Sequence, residues 1–128
     1  MIRGLLALVL VLHGLVHVLG FVVPWRLATV ATLPYTTTLL AGRLDVGATG
    51  IRVVGVLWLL AAVGLVIAGT GVMTAQGWWL PLTLVVVLGS VILTILGSPA
   101  SYVGVIVNVV LLAYLILGSS IGSLALPR

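Results

Sequence analysis

Four long apolar runs alternate with polar interruptions along the chain, and that pattern predicts four membrane-crossing helices. The first run extends from about Gly4 to Val23 and meets Pro24-Trp25-Arg26, a helix breaker followed by an interfacial aromatic and a cation. The second starts at Arg52 and reaches about Met73. The third opens on Trp78-Trp79 and ends near Gly97, and the fourth runs from Tyr102 to Leu117 with a Ser/Gly-rich tail behind it. Runs of this length suit a hydrocarbon core that takes roughly 20 helical residues. The first has the short basic start of a signal peptide. Its apolar stretch is longer than a signal h-region, however, and no small-x-small cleavage site follows, so an uncleaved helix is expected.

Only a few residues separate 73 from 78 and 97 from 102, which makes the last three helices an antiparallel meander with the first packed back against them. The expected fold is therefore all-α: a four-transmembrane-helix antiparallel bundle, one domain spanning 1–128, with helices at about 4–23, 52–73, 78–97 and 102–117. The connection 24–51 differs from the other two. It carries the chain's single acid, Asp45, and the strand-forming run Thr32-Leu33-Pro34-Tyr35-Thr36-Thr37-Thr38. Ala41-Gly42 then separates two short strand-like segments. Two readings stand for this segment: a small extramembrane hairpin, or a loop with an interfacial helical turn, since a lone two-stranded hairpin is marginal in water.

Composition agrees with the pattern: 63% of the residues are hydrophobic and 5% charged, at a mean hydropathy of +1.52. Soluble domains carry about a quarter charged residues, so a soluble class is excluded. With no cysteine, disulfide frameworks, Cys-based zinc sites, iron–sulfur clusters and thiol redox chemistry are excluded as well. The net charge of +4 comes from five scattered arginines and Asp45. These arginines sit mostly at the ends of apolar runs, so Trp25, Arg26, Arg52, Trp78 and Trp79 read as interface anchors and nucleic acid is not an expected partner. The absence of lysine and the abundance of Val, Leu, Gly and Ala suggest a bacterial genome, and hence the bacterial cytoplasmic (inner) membrane. Arg3 and Arg128 on the terminal side nearly balance Arg26, Arg43 and Arg52 on the other. Arg3 tips the reading toward a cytoplasmic N-terminus.

Candidate chemistry resides in the polar side chains inside the runs: His13 and His17 in the first, Ser90 and Thr94 in the third, Asn108 and Tyr114 in the fourth. At a helical rise of about 1.5 Å per residue, His13, His17, Trp58, Ser90 and Asn108 fall at nearly one depth. They either satisfy one another as glue between helices or form a ligand or conduction site in one leaflet. His13 and His17, four apart, share a helix face in the manner of metal-binding pairs. No carboxylate or cysteine joins them in the spans, and one face cannot supply both axial positions of a haem. No cofactor is therefore expected, with haem, a metal ion or a quinone as alternatives; a quinone or lipid head group held by His17 and Asn108 needs only donors and acceptors beside apolar walls. No nucleophile has a base and an orienting acid, so no catalytic residue is assigned and no enzyme is expected. Small-residue steps at Gly64–Ala68, Ser90–Thr94 and Gly104–Asn108 predict close helix packing.

The segments His13-Gly14-Leu15-Val16-His17-Val18-Leu19-Gly20-Phe21, Gly55-Val56-Leu57-Trp58-Leu59-Leu60-Ala61-Ala62 and Gly104-Val105-Ile106-Val107-Asn108 resemble a family of short bacterial membrane proteins with four predicted spans. The resemblance implies the His/Trp/Asn layer and no activity. The expected function is a non-enzymatic accessory or assembly subunit whose partners are membrane lipids and either its own copies or a larger membrane complex. A small-solute, quinone or lipid binding or transport protein using the polar layer is the first alternative, and a haem- or metal-binding electron-transfer subunit the second.

Overall fold

The first apolar run folds as α1 (Ile2–His17) and α2 (Leu19–Val22). Between them Val18 donates to the Leu15 carbonyl in a tightened turn, and Phe21 and Val22 bond back to Val18. The two pieces thus form one apolar rod of 21 residues. Its C-terminus closes in a Schellman turn: Leu27 donates to the Val22 oxygen and Arg26 to the Val23 oxygen. Arg26 takes the left-handed position (φ 54°) and lays its guanidinium over the Tyr35 ring, 4.1 Å from the centroid. Pro24 lies inside this last turn, between the end of α2 and the left-handed Arg26.

A computed structural model describes the backbone of residues 1–121 and the side chains of residues 1–118. The remainder of the Ser/Gly-rich tail, with Arg128, lies outside the described residues. In the long connection, β1 (Thr38–Leu39) pairs antiparallel with β2 (Leu44–Asp45) in the register Thr38–Asp45 and Leu39–Leu44. The turn between them holds Leu40, Ala41 and Gly42 all at positive φ. So short a hairpin needs outside support. It finds it in the bundle, because Leu40 N–H donates to the Leu96 oxygen at 2.8 Å, Ala41 N–H to the Ser98 oxygen at 3.2 Å, and Leu39 is buried.

The long helix α3 (Gly47–Met73) begins five residues before Arg52, where the apolar run had placed its start. An apolar run marks what fits hydrocarbon, whereas a helix begins where its first amides find acceptors. Here Asp45 Oδ1 accepts from Gly47 N–H at 2.9 Å and from Thr37 Oγ1 at 2.9 Å, tying hairpin to helix. These donors, the Gly47 amide first and the Thr37 hydroxyl second, hold the Asp45 carboxyl below its ordinary pKa. The lowered value means the tie is intact above the ordinary carboxylate range, about pH 4, and is lost as pH falls through the folded pKa. An Asp45 carboxyl resonance followed by NMR is expected to titrate below that of a free aspartate, and Thr37→Val is expected to bring it back toward it.

At its other end α3 closes in a second Schellman turn, Gln76 N–H to Gly71 O and Ala75 N–H to Val72 O, with Ala75 left-handed at φ 54°. An L-residue there costs about 1 kcal/mol relative to glycine. Ala75→Gly is therefore expected to stabilise the fold by up to that amount in equilibrium unfolding.

The chain continues through α4 (Trp79–Leu96) and α5 (Tyr102–Ile121), the last reaching four residues past the expected end at Leu117. Three helical segments, Ile2–Val22, Gly47–Met73 and Trp79–Leu96, are long and apolar enough to cross a membrane, and Tyr102–Gly118 is a shorter apolar helix. The helices pack in the order α1, α3, α4, α5. Gly64 lets Val86 of α4 approach α3, and Gly104 of α5 receives the Thr94 methyl of α4. Ala68 is buried in the core with Leu10, Leu65, Val87 and Leu115. Trp79 corrects its assignment as an interface anchor. It is 7% exposed and belongs to that core, whereas Trp78 is 45% exposed, because the helix start turns consecutive side chains about 100° apart. Trp25 and Arg52 do meet: the indole N–H donates to the Arg52 carbonyl at 3.0 Å and the guanidinium lies 5.5 Å from the ring centroid.

Candidate functional site: a polar layer beside an apolar cleft

The polar side chains of α1, α4 and α5 converge into one hydrogen-bonded chain in an otherwise apolar interior. His13 Nε2 lies 2.8 Å from Asn108 Oδ1, and Asn108 Nδ2 donates to Ser90 Oγ at 2.8 Å and to Thr94 Oγ1 at 3.3 Å. Ser90 Oγ meets His17 Nε2 in a short hydrogen bond, and His17 Nδ1 lies 2.8 Å from the His13 carbonyl oxygen. Thr94 returns its own hydroxyl to the Ser90 carbonyl at 2.8 Å. Ser90, Asn108, Thr94 and His17 are almost completely buried, and His13 is 8% exposed. Such saturation is what an apolar surrounding demands of polar groups.

The spacing of His13 and His17 brings their rings edge to face, 4.5 Å between centroids and 74° between planes. Both Nε2 atoms point to Ser90 or Asn108, so the pair is engaged with neighbours and does not offer a two-nitrogen chelate. Asn108 takes His13, and Ser90 stands between Asn108 and His17. Trp58 belongs to the layer by contact alone: its ring lies 4.9 Å from His17, and among the described residues its indole N–H makes no hydrogen bond. The indole fills the space between Gly20 of α2, where an added Cβ would collide with it, and Gly97 at the end of α4. Thr94 is both a member of the hydrogen-bonded chain and the wall that Gly104 rests on. Tyr114 stands against the apolar core.

Next to this layer lies a cavity of about 940 Å³, neither sealed nor flat. It exists because α1 is held by α3 and α5 by α4, while among the described residues no extensive contact draws α5 onto α1. One wall is α1, with Leu12, His13, Val16 and His17; the opposite wall is Val103, Gly104 and Val107 of α5. Trp58 and Thr94 line it from α3 and α4, and the long connection covers one end with Leu33, Pro34 and Leu40. The lining is predominantly apolar, with the imidazoles and a few hydroxyls as its polar points. Such a composition fits a lipid-soluble molecule that carries few polar atoms. Sequence reasoning did not reach the covering residues or the α5 wall. The length of 24–51 was the available signal for the cover, and the stretch Val103-Gly104-x-x-Val107 carries nothing that separates a cleft wall from a lipid-facing stripe. No known protein family, curated protein or solved structure matches the chain.

Proposed function

We propose that the protein is a small, non-enzymatic membrane protein that crosses the bilayer four times and holds a lipid-soluble molecule in the cleft between α1 and α5. Four crossings are supported by the three long apolar segments together with α5, whose 20 residues extend about 30 Å, one hydrocarbon thickness. The outward faces carry large exposed apolar side chains such as Leu5, Leu60, Val85, Ile92 and Ile106. Water does not tolerate such a surface, and lipid does. We place the protein in a bacterial inner membrane, on composition, with the 24–51 connection on the outer side.

The observation that carries the reading is the roughly 940 Å³ cavity lined by both imidazoles. It favours binding over the accessory-subunit expectation, because apolar outer faces are covered by lipid as readily as by a partner, whereas a cleft of this size beside a polar layer needs an occupant. Pockets for small molecules run to about 300–1,000 Å³, so the volume is of the right order. Protein purified from membranes into lipid nanodiscs, extracted with organic solvent and analysed by mass, is expected to yield a stoichiometric lipid-soluble compound. Val107→Trp fills the cleft from the α5 side and replaces no residue of the hydrogen-bonded chain. It is expected to lose that compound, and identical extracts from the two proteins would refute the reading.

A further inference from the structure

Resting on the cleft reading, we infer that the occupant is a hydrogen-bond donor, a lipid-soluble phenol or alcohol whose hydroxyl bonds to Nδ1 of His13.

The argument follows the protons round the polar layer. The interior holds no carboxylate, since the one acid of the chain is Asp45 in the hairpin, so both imidazoles are neutral and each carries one N–H. The His13 carbonyl can only accept, which fixes the proton of His17 on Nδ1. His17 Nε2 is then an acceptor, and Ser90 must give it the hydroxyl proton. Ser90 Oγ, its proton spent, accepts from Asn108 Nδ2. Thr94 has spent its own proton on backbone carbonyls and can only accept from the same amide. The Asn108 amide is thereby oriented, its oxygen faces His13, and His13 Nε2 carries the proton. What is left over is the lone pair on His13 Nδ1.

That nitrogen has no hydrogen-bond partner among the described residues. Among the described residues Arg3 Nε is the one fully buried side-chain nitrogen or oxygen without a hydrogen bond, so His13 Nδ1 retains accessible surface. His13 is more than nine-tenths buried and lines the cavity. An uncommitted acceptor at the edge of an apolar cleft selects a ligand that brings a donor. It discriminates against a molecule of the same shape that has only carbonyl or ether oxygens, which would leave two acceptors facing each other without a proton. The apolar walls and the volume ask for a hydrocarbon tail or ring on that hydroxyl, which is the chemistry of a quinol or of a long-chain alcohol.

The full chain in phosphatidylcholine nanodiscs can be titrated with decyl-hydroquinone kept reduced, with its dimethyl ether, with decyl-benzoquinone, and with farnesol and its methyl ether, reading binding by calorimetry. The hydroquinone is expected to bind about tenfold or more tightly than its ether and than the quinone. A matching gap between farnesol and its ether extends the ligand class to aliphatic alcohols; its absence confines the class to phenols. His13→Phe with Asn108→Leu removes the acceptor together with the partner it would otherwise orphan. This double variant is expected to bind hydroquinone and ether alike. Equal affinities for hydroquinone, ether and quinone in the unmodified protein overturn the donor inference and leave the cleft reading standing. Binding of none of the probes overturns both, and a hydroxyl preference that survives in the double variant removes His13 as its source.

Discussion

Replacing Asn108 with leucine is expected to destabilise the protein by about 3 kcal/mol, more than any other single change in the polar layer. The Asn108 side chain bonds to three others, joining His13 of α1 to Ser90 and Thr94 of α4 from its own place on α5. An average interhelical hydrogen bond in a membrane contributes about 0.6 kcal/mol, so the three lost bonds alone amount to less than the expected change. The rest comes from what is left behind. His13 keeps an N–H aimed at hydrocarbon, and a buried donor without an acceptor costs about 1–3 kcal/mol. His13→Phe made on top of Asn108→Leu removes that orphan, so the second substitution is expected to cost far less in the variant than in the unmodified protein. A double-mutant cycle followed by equilibrium unfolding in bicelles measures the difference. Strictly additive single and double variants would show that the two side chains do not depend on each other.

Asn108 also shows how far the sequence could be read. That it lies level with His13, His17 and Ser90 follows from counting residues along apolar runs, because polar side chains are scarce there and each one is conspicuous. Depth is one coordinate of three. Which histidine takes the amide depends on the rotation of α1 and α5 about their axes, which residue counting does not supply; the structure gives it to His13. The same gap explains Trp79, whose place beside Trp78 suggested an anchor although its side chain turns into the core. The hairpin lay where Ala41-Gly42 pointed, since turn chemistry is local. Its docking on the Leu96 and Ser98 carbonyls is a relation between segments more than fifty residues apart, and nothing in either segment announces it. The start of α3 at Gly47 was missed because hydrophobicity reports the solvent a helix occupies and not the length of its hydrogen-bonded ladder.

Gly14→Val is expected to be the most damaging single substitution outside the polar layer, at about 3 kcal/mol or loss of the fold. Gly14 sits between the two histidines on α1 and faces α3 at close quarters. A Cβ there would meet the Ala62 carbonyl oxygen at 2.9 Å, Leu65 Cβ at 3.0 Å and Val66 Cγ2 at 3.2 Å. Two of those atoms cannot swing aside by changing a rotamer, since one is backbone and the other is the root of a side chain. Farther along the same interface a Cβ added at Gly69 of α3 would lie 2.7 Å from Val11 Cγ2 and 3.1 Å from the Ala7 carbonyl oxygen, so the helices have no slack in which to slide. Relief comes only by moving α1 outward. That motion carries His13 away from Asn108 and His17 away from Ser90, so the steric insult and the loss of the polar layer arrive together. Gly89→Ala in α4 is the matched control, because nothing lies within 4 Å of a Cβ at that exposed position. It is expected to leave stability unchanged or raise it by up to about 1 kcal/mol, as alanine does for glycine inside a helix. Equilibrium unfolding of the two variants side by side separates close packing of α1 on α3 from a general intolerance of side chains at glycine, and equal losses in both would refute the packing argument.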